Sequence, residues 1–334
     1  MEKIKLAIIG LGGIVQVMHL PAILKRDDIE ITALCDVRQS KIKDLSKKLN
    51  VSKTFTSADE MLASGLDIDA ALIAAPTDYH ADISIKCLRA GINVLVEKPL
   101  GRNLREAKMI VDEANKSGKI LMVGMNNRFR SDSILQRSFL RSGDLGEVYY
   151  VKTGWLKRKS SNTKWFTESD KSGGGVVIDN GIVMLDLGMW MMDFPDVKSV
   201  SAVNYSHNTI TVEDSSIALI KFKSGASMTM EVSWSFHRSG EFFYCNAFGR
   251  EGSTFINPLR IFRFINNELK ELTPKNSAAQ PDTFKDSYDY QIRHFAGSVK
   301  GYHKSVSTGE EALKIMEVID AIYKSAKTGK EVLL

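Results

Sequence analysis

The sequence predicts two successive domains: an α/β domain built on a doubly wound parallel sheet, then an α+β domain with a large, mostly antiparallel open sheet. Three observations predict this. The chain has 334 residues, more than one ordinary hydrophobic core absorbs. Its first third alternates short apolar runs with amphipathic helical stretches, the order that produces parallel strands with helical crossovers. Beyond about residue 125 the pattern changes to alternation with a period of two, the mark of half-buried antiparallel strands. The expected domains are residues 1–124 and 125–334.

In the first domain, IKLAIIG, IEITALCD, AALIAAP, INVLVEKP and ILMVG are short apolar runs, each ended by Gly, Pro or Asp. Such runs suit strands buried on both faces. Helices are expected between them, at 38–49 and 103–117. In the second domain, residues 226, 228, 230, 232 and 234 are Ala, Met, Met, Val and Trp, and Ser227, Thr229, Glu231 and Ser233 alternate with them. Further strands are expected at 147–156, 197–205, 215–223, 242–249 and 260–265. Helices are expected at 131–142, 179–192, 284–300 and 309–327, and loops at 157–175 and 270–282.

Charged residues make up 25% and hydrophobic residues 43%, a balance that supports folding and argues against disorder. The net charge of +5 is dispersed among acids, so it points weakly to an anionic ligand and not to nucleic acid. Cys35, Cys87 and Cys245 lack metal-ligand spacing and are expected as buried, reduced thiols. No run resembles a membrane span. The N-terminus enters a strand without a signal-peptide layout, so a cytoplasmic location is expected.

GLGGIV begins at Gly10, directly after the first strand. Glycines there permit a tight turn and close backbone approach to a pyrophosphate at a helix start. The third small position is instead Val15, a branched residue that would push helix and strand apart. Asp36 ends the second strand, 24 positions after Gly12, where an acid can accept hydrogen bonds from the adenosine ribose. Together they predict a Rossmann domain that binds NAD; a carboxylate at 36 repels a 2′-phosphate, while Arg38 leaves NADP possible. Gly10, Gly12, Gly13, Ile14, Asp36, Arg38, Ala75, Pro76, His80, Glu97 and Lys98 are the candidate cofactor residues.

VEKPL at 96–100 places Lys98 beyond the carboxyl end of a parallel strand, where ligands bind. Taken with GLGGIVQVMHLPAI, PTDYHADISIKCLRAGINVLVEKPL and GGGVVIDNGIVMLDL, it makes the chain resemble the Gfo/Idh/MocA oxidoreductases from residue 4 to the end. The resemblance implies a Rossmann domain followed by an open-sheet domain, an NAD(P) cofactor, and hydride transfer involving sugars, polyols or their ketones. It matches a catalytic lysine to Lys98 and an aspartate to Asp179. Where relatives usually carry a histidine, this chain has Val183. It further implies a homo-oligomer, dimer or tetramer, through the sheet face that bears Ser227, Thr229, Glu231 and Ser233. Neither nucleic acid nor membrane is expected as a partner.

Oxidation of a hydroxyl releases a proton, and a positioned base contributes about 10²- to 10⁴-fold to such a step. Valine cannot accept a proton. Three readings follow: Lys98 is itself the acid/base; another group, His237, His207, Tyr288 or Tyr290, fills the gap; or the chain binds a nucleotide and a ligand in a regulatory role without efficient turnover. The resemblance also allows a redox-neutral lyase or glycosidase that retains NAD. Candidate substrate residues are Arg128, Arg158, Trp165, Asp179, Val183 and Asp186. Arg128 could equally bridge the domains as an ion pair, and Asp186 could be a structural acceptor. Asp179, Asp186 and Asp193 are seven apart and would share one helix face. Asp193 is expected as a capping or solvent group, Lys157 and Lys159 as surface lysines, and His19 as a packing residue.

Overall fold

The computed structural model describes residues 2–158, 164–237, 239–275 and 283–334. The chain forms two compact units, Met1–Asn126 with Lys285–Leu313, and Asn127–Phe284 with Lys314–Leu334. A single cut after residue 124 would leave 285–313 in the second unit, whereas those residues are built into the first.

The first unit holds a six-stranded parallel sheet in the order β3-β2-β1-β4-β5-β6. Its strands are β1 (Ile4–Ile9), β2 (Ile29–Cys35), β3 (Thr54–Phe55), β4 (Ala70–Ile73), β5 (Asn93–Val96) and β6 (Leu121–Val123). Helices Gln39–Leu49, His80–Arg89 and Leu104–Ser117 lie between strands in sequence. Asn103 caps the last by accepting the Glu106 N–H at 3.0 Å. Helix Thr283–Val299 covers part of the sheet, and Ile292, Phe295 and Ala296 gather with Ile4, Leu6, Leu72 and Leu95 around one small cavity. The chain then runs along β6: Val123 N–H donates to Ser307 O at 2.9 Å, and the Ser307 hydroxyl donates to Val123 O at 2.8 Å. A parallel sheet buries both faces, which is why this late segment joins the early one.

The carboxyl ends of the strands are tied in a row. Gly10 N donates to Cys35 O, Ala74 N to Ile9 O, Glu97 N to Ile73 O and Gly124 N to Val96 O, each at 2.8 Å. The glycine turn, the post-β4 loop and the EKP loop therefore emerge at one edge of the sheet.

The second unit holds a nine-stranded sheet, β14-β13-β12-β11-β7-β10-β9-β8-β15, in which only the β7/β10 pair is parallel. The strands are β7 (Val148–Leu156), β8 (Val197–Tyr205), β9 (Ser215–Phe222), β10 (Ser227–Ser233), β11 (Phe242–Gly249), β12 (Gly252–Phe255), β13 (Arg260–Ile265), β14 (Glu268–Glu271) and β15 (Val332–Leu333). The period-two row behaves as expected: Ala226, Met228, Met230, Val232 and Trp234 are buried. Against that face lies helix Ile182–Met191, every residue of which is buried. Gly188 permits the contact, since an added Cβ would meet Met228 Cε at 2.5 Å. The helical run Ser169–Met191 is long and apolar enough to cross a membrane, but 94% of its most apolar 18-residue window is buried, and it is a core element.

The expected loop 157–175 contains a 3₁₀ turn, Lys164–Thr167, and a helical turn, Ser169–Ser172. Its residues 159–163, Lys159 among them, lie outside the described residues. The expected loop 270–282 begins inside β14, and its residues 276–282 lie outside the described residues. All three cysteines are buried and unpaired. Burial, with some help from nearby charge, pushes the Cys35 thiol up to about 12, and burial does the same to Cys87.

Candidate active site

The glycine turn of the first unit is shaped on one side by packing and left open on the other. Gly10 has φ +89°, and an added Cβ would meet the Ala74 carbonyl and Ala75 N at 2.6 Å. Only glycine lets the turn pass so close over the end of β4. At Gly12 and Gly13 an added Cβ would meet nothing within 4 Å, which leaves backbone accessible to a ligand. Val15 is accommodated: it is fully buried and opens a π-helical turn, Val15–His19, that continues as an α-helix over Leu20–Leu24.

Asp36 braces this turn. Its Oδ2 accepts Leu11 N–H at 2.7 Å and its Oδ1 accepts Arg38 N–H at 2.9 Å. The Arg38 side chain is mostly exposed, with Nε 3.5 Å from Asp36 Oδ1. An open glycine turn, a helix start and a carboxylate at the end of β2 suit a nicotinamide dinucleotide. Ile14 is exposed, Ala75 is half-buried and Pro76 is exposed, all consistent with a ligand-facing rim.

Lys98 is half-buried, in a loop whose neighbours are fixed from several directions. Glu97 Oε1 lies 2.6 Å from His19 Nε2, and Glu97 Oε2 accepts Lys98 N–H at 3.2 Å. Burial would raise the Glu97 carboxyl, but the His19 hydrogen bond and charge, with those of Lys98, outweigh it and hold the carboxyl below its usual range. The His19 ring also meets Tyr288 edge-on at 5.1 Å. His19 thus orders the lysine's neighbour, which is more than the packing role expected of it. His80 places Nδ1 2.8 Å from Pro99 O and Nε2 2.9 Å from Ala75 O. Burial lowers its pKa, against the pull of the two carbonyls. The Glu97 and His80 polar atoms are thus held by protein partners, and His80 ties the post-β4 loop to the EKP loop.

In the second unit a buried carboxylate shapes the turn that presents Asp179. Glu213 Oε1 accepts Gly175 N–H and Val177 N–H, each at 3.0 Å, and the Tyr323 hydroxyl at 2.9 Å. An added Cβ on Gly174 would overlap the Tyr323 hydroxyl, and one on Gly175 the Glu213 carbonyl oxygen. Burial pushes the Glu213 carboxyl up despite these donors, and pushes Tyr323 well up. A π-helical turn, Val177–Gly181, follows and carries Asp179 into helix Ile182–Met191.

From Gly174 to Met191 every residue is buried except Asp179, which is half-buried. Its Oδ2 accepts the indole N–H of Trp234 at 3.2 Å. Phe166 stacks on Trp234 at 5.2 Å, and Trp165 meets Phe166 edge-on at 5.7 Å. Arg158 is exposed and bridges to Ser235, the residue after Trp234. Val183 is buried at 4% exposure and offers only carbon.

Arg128 and Asp186, both expected as substrate residues, pair with each other. They form a bidentate ion pair, Nε–Oδ2 2.8 Å and Nη2–Oδ1 2.6 Å, with side-chain exposures of 1% and 2%. The guanidinium also lies 4.9 Å from the Phe194 ring. Both residues belong to the second unit, so the pair does not bridge domains. Asp193 is beyond the helix and pairs with Arg137. The three acids spaced by seven therefore meet three different donors and form no common stripe.

Of the groups considered for the missing proton acceptor, Tyr288 is buried and its hydroxyl is pushed well up by burial and by Glu97. Tyr290, His207 and His237 are exposed. Glu213, Tyr323, Trp234 and Phe166 were not singled out from sequence as site residues. Trp234 gave a signal only as one member of the period-two row.

A dinucleotide-binding sheet joined to an open-sheet unit that displays a carboxylate amid aromatic rings defines a two-domain oxidoreductase. The comparisons make this specific. Residues 4–125 match the family model described as "Oxidoreductase family, NAD-binding Rossmann fold", and residues 137–334 match its C-terminal α/β domain. The chain belongs to the Gfo/Idh/MocA oxidoreductase family. It is 29% identical to D-glucoside 3-dehydrogenase of Escherichia coli K12, covering 100% of this chain and 98% of that protein. It is 26% identical to scyllo-inositol 2-dehydrogenase (NAD(+)) of Bacillus subtilis 168, covering 100% and 97%. GenD2 from gentamicin A biosynthesis, solved in complex with NAD, shares the fold with a TM-score of 0.87 at 24% identity, covering 100% and 97%.

Proposed function

We propose that the protein is an NAD-dependent dehydrogenase or ketoreductase of a sugar or polyol, with Lys98 and Asp179 acting on the reacting hydroxyl. The observation that carries this is the selective exposure of Asp179 in an otherwise buried helical segment. A carboxylate at that position accepts a substrate hydroxyl, and Trp165 and Phe166 provide apolar ring surface for the C–H face of a sugar. The similar D-glucoside and scyllo-inositol dehydrogenases are named for substrates with polyhydroxylated rings. The cofactor, when bound, supplies the acceptor or donor of the hydride. Lys98 takes the hydroxyl proton in oxidation and returns it in reduction. Val183 takes no part in proton transfer. NAD is favoured by the Asp36 carboxylate, while exposed Arg38 leaves NADP open.

Oligomerisation through the sheet face that bears Ser227, Thr229, Glu231 and Ser233 belongs to the same reading. That face carries Ser227, Thr229 and Glu231 with exposed Ile217 and Phe242.

The test is a panel of myo-inositol, scyllo-inositol, D-glucose and methyl D-glucosides with NAD⁺ and NADP⁺, followed by nicotinamide absorbance at 340 nm, a standard assay wavelength. Lys98→Ala should lose turnover by 10²-fold or more, on the order expected for a missing acid/base, while still binding NADH. Full turnover in that variant removes Lys98 from the reaction. Val183 favours one other reading, a nucleotide-dependent ligand-binding protein; turnover well above background with any compound of the panel excludes it.

A further inference from the structure

Asp179 is held from two directions by adjacent residues of one segment. The Glu213 carboxylate fixes the glycine turn that begins its helical segment. The Asp214 carbonyl accepts the backbone N–H of Trp234 at 2.7 Å, and the Trp234 indole in turn donates to Asp179. Trp234 itself is 5% exposed, lies one residue beyond β10 and is stacked on Phe166.

We propose that Trp234 is a positioning residue for the reaction, its indole N–H fixing the orientation of the Asp179 carboxylate toward the substrate hydroxyl. An indole nitrogen donates and never accepts, so the contact orients a carboxylate oxygen without competing for the substrate proton. Trp234 reaches Asp179 from just beyond the end of β10. This inference rests on the reading that Asp179 acts at the reacting hydroxyl.

The decisive comparison is Trp234→Phe against Trp234→His. Both remove the benzo ring, but histidine keeps an N–H two bonds from Cγ, as tryptophan does. With NAD⁺ and whichever compound of the inositol and glucoside panel turns over, kcat of the Phe variant should fall about tenfold, the effect of one hydrogen bond to a charged acceptor. The His variant should stay within about threefold of the native protein on the same scale. KM should change little in either. In the Asp179→Ala background, which removes both acceptor oxygens, the Phe and His variants should become equal.

Equal losses in the Phe and His variants of the native background would overturn the inference. Full kcat in Asp179→Asn alone would instead overturn the reading beneath it. A readout without turnover completes the test. In the ¹H–¹⁵N spectrum the Trp234 indole signal, assigned by its absence from the Phe variant, should shift in Asp179→Asn; an unmoved signal overturns the inference.

Discussion

Arg128→Met should unfold the second unit far more readily while leaving substrate affinity alone. The guanidinium and the Asp186 carboxylate have side-chain exposures of 1% and 2% and share two charge-assisted hydrogen bonds. Methionine keeps an apolar body near Phe194 but leaves a buried carboxylate without its cation. Removing one partner of such a pair costs about 3–5 kcal/mol. For a unit of this size, each kcal/mol lowers the melting midpoint by roughly 2–4 °C, so a drop on the order of 10 °C is expected. All four tryptophans, Trp155, Trp165, Trp190 and Trp234, fall in the second unit, so intrinsic fluorescence follows that unit during urea or thermal unfolding. Arg128→Met/Asp186→Leu should recover most of the loss, because apolar replacement of a buried pair is often neutral or stabilising. A single variant that melts like the native protein but shows a raised KM would refute this reasoning and return Arg128 to the substrate.

Gly175→Ala should damage both stability and turnover, since its Cβ would overlap the Glu213 carbonyl oxygen. Overpacking of this kind costs about 1–3 kcal/mol, and displacing the turn should lower kcat along with the melting midpoint; native values of both would refute it. Mild acid should destabilise the first unit through His294, which stacks on His303 at 4.2 Å and accepts Val306 N–H at 2.9 Å through Nε2. Burial, then the His303 charge, lowers its pKa to about 4, against the Lys304 carbonyl, from an ordinary 6.5. Its contribution is therefore complete above pH 6.5 and is lost as pH falls from 6.5 toward 4, because the unfolded chain binds the proton first. Conversion of the shift gives an upper bound of roughly 3 kcal/mol, reduced to about 1–2 by partial exposure of the ring. Roughly three fifths of that falls between pH 7.5 and pH 5, so the stability difference between them should shrink by about 1 kcal/mol in His294→Gln; an unchanged difference would refute the assignment.

The long elements were legible because each carries its own pattern. Strands 197–205, 242–249 and 260–265 occur at the expected boundaries. Strands β3, β12, β14 and β15 were missed, having only two to four residues, too few to display a period. The helix near 284–300 was visible as a helix, but its place on the first sheet was not, because docking depends on a surface assembled from strands far away in sequence. Glycine positions were legible for the same reason as strands: Gly10 is fixed by a local turn. Glu213 was not, since a single acid in a polar stretch gives no sign that it will be buried against the backbone of a helix 38 residues earlier.

The acids spaced by seven show where pattern and chemistry separate. Helical spacing alone would place Asp179, Asp186 and Asp193 on one face, equivalent to one another. The winding is not uniform, however: Asp179 sits in a π turn, and Asp193 has left the helix with φ +57°. What distinguishes them is the donor each meets. A guanidinium in the core pairs with Asp186, and Arg137 near the surface pairs with Asp193. Asp179 meets an indole N–H, a donor that carries no charge of its own. A carboxylate oxygen has more than one lone pair, so one that accepts an indole N–H can also accept a substrate hydroxyl. With valine at 183, that acceptor has no imidazole beside it on the helix to pass a proton to. Under the proposed reaction the proton therefore goes to Lys98, and Asp179 aligns the hydroxyl from which it leaves.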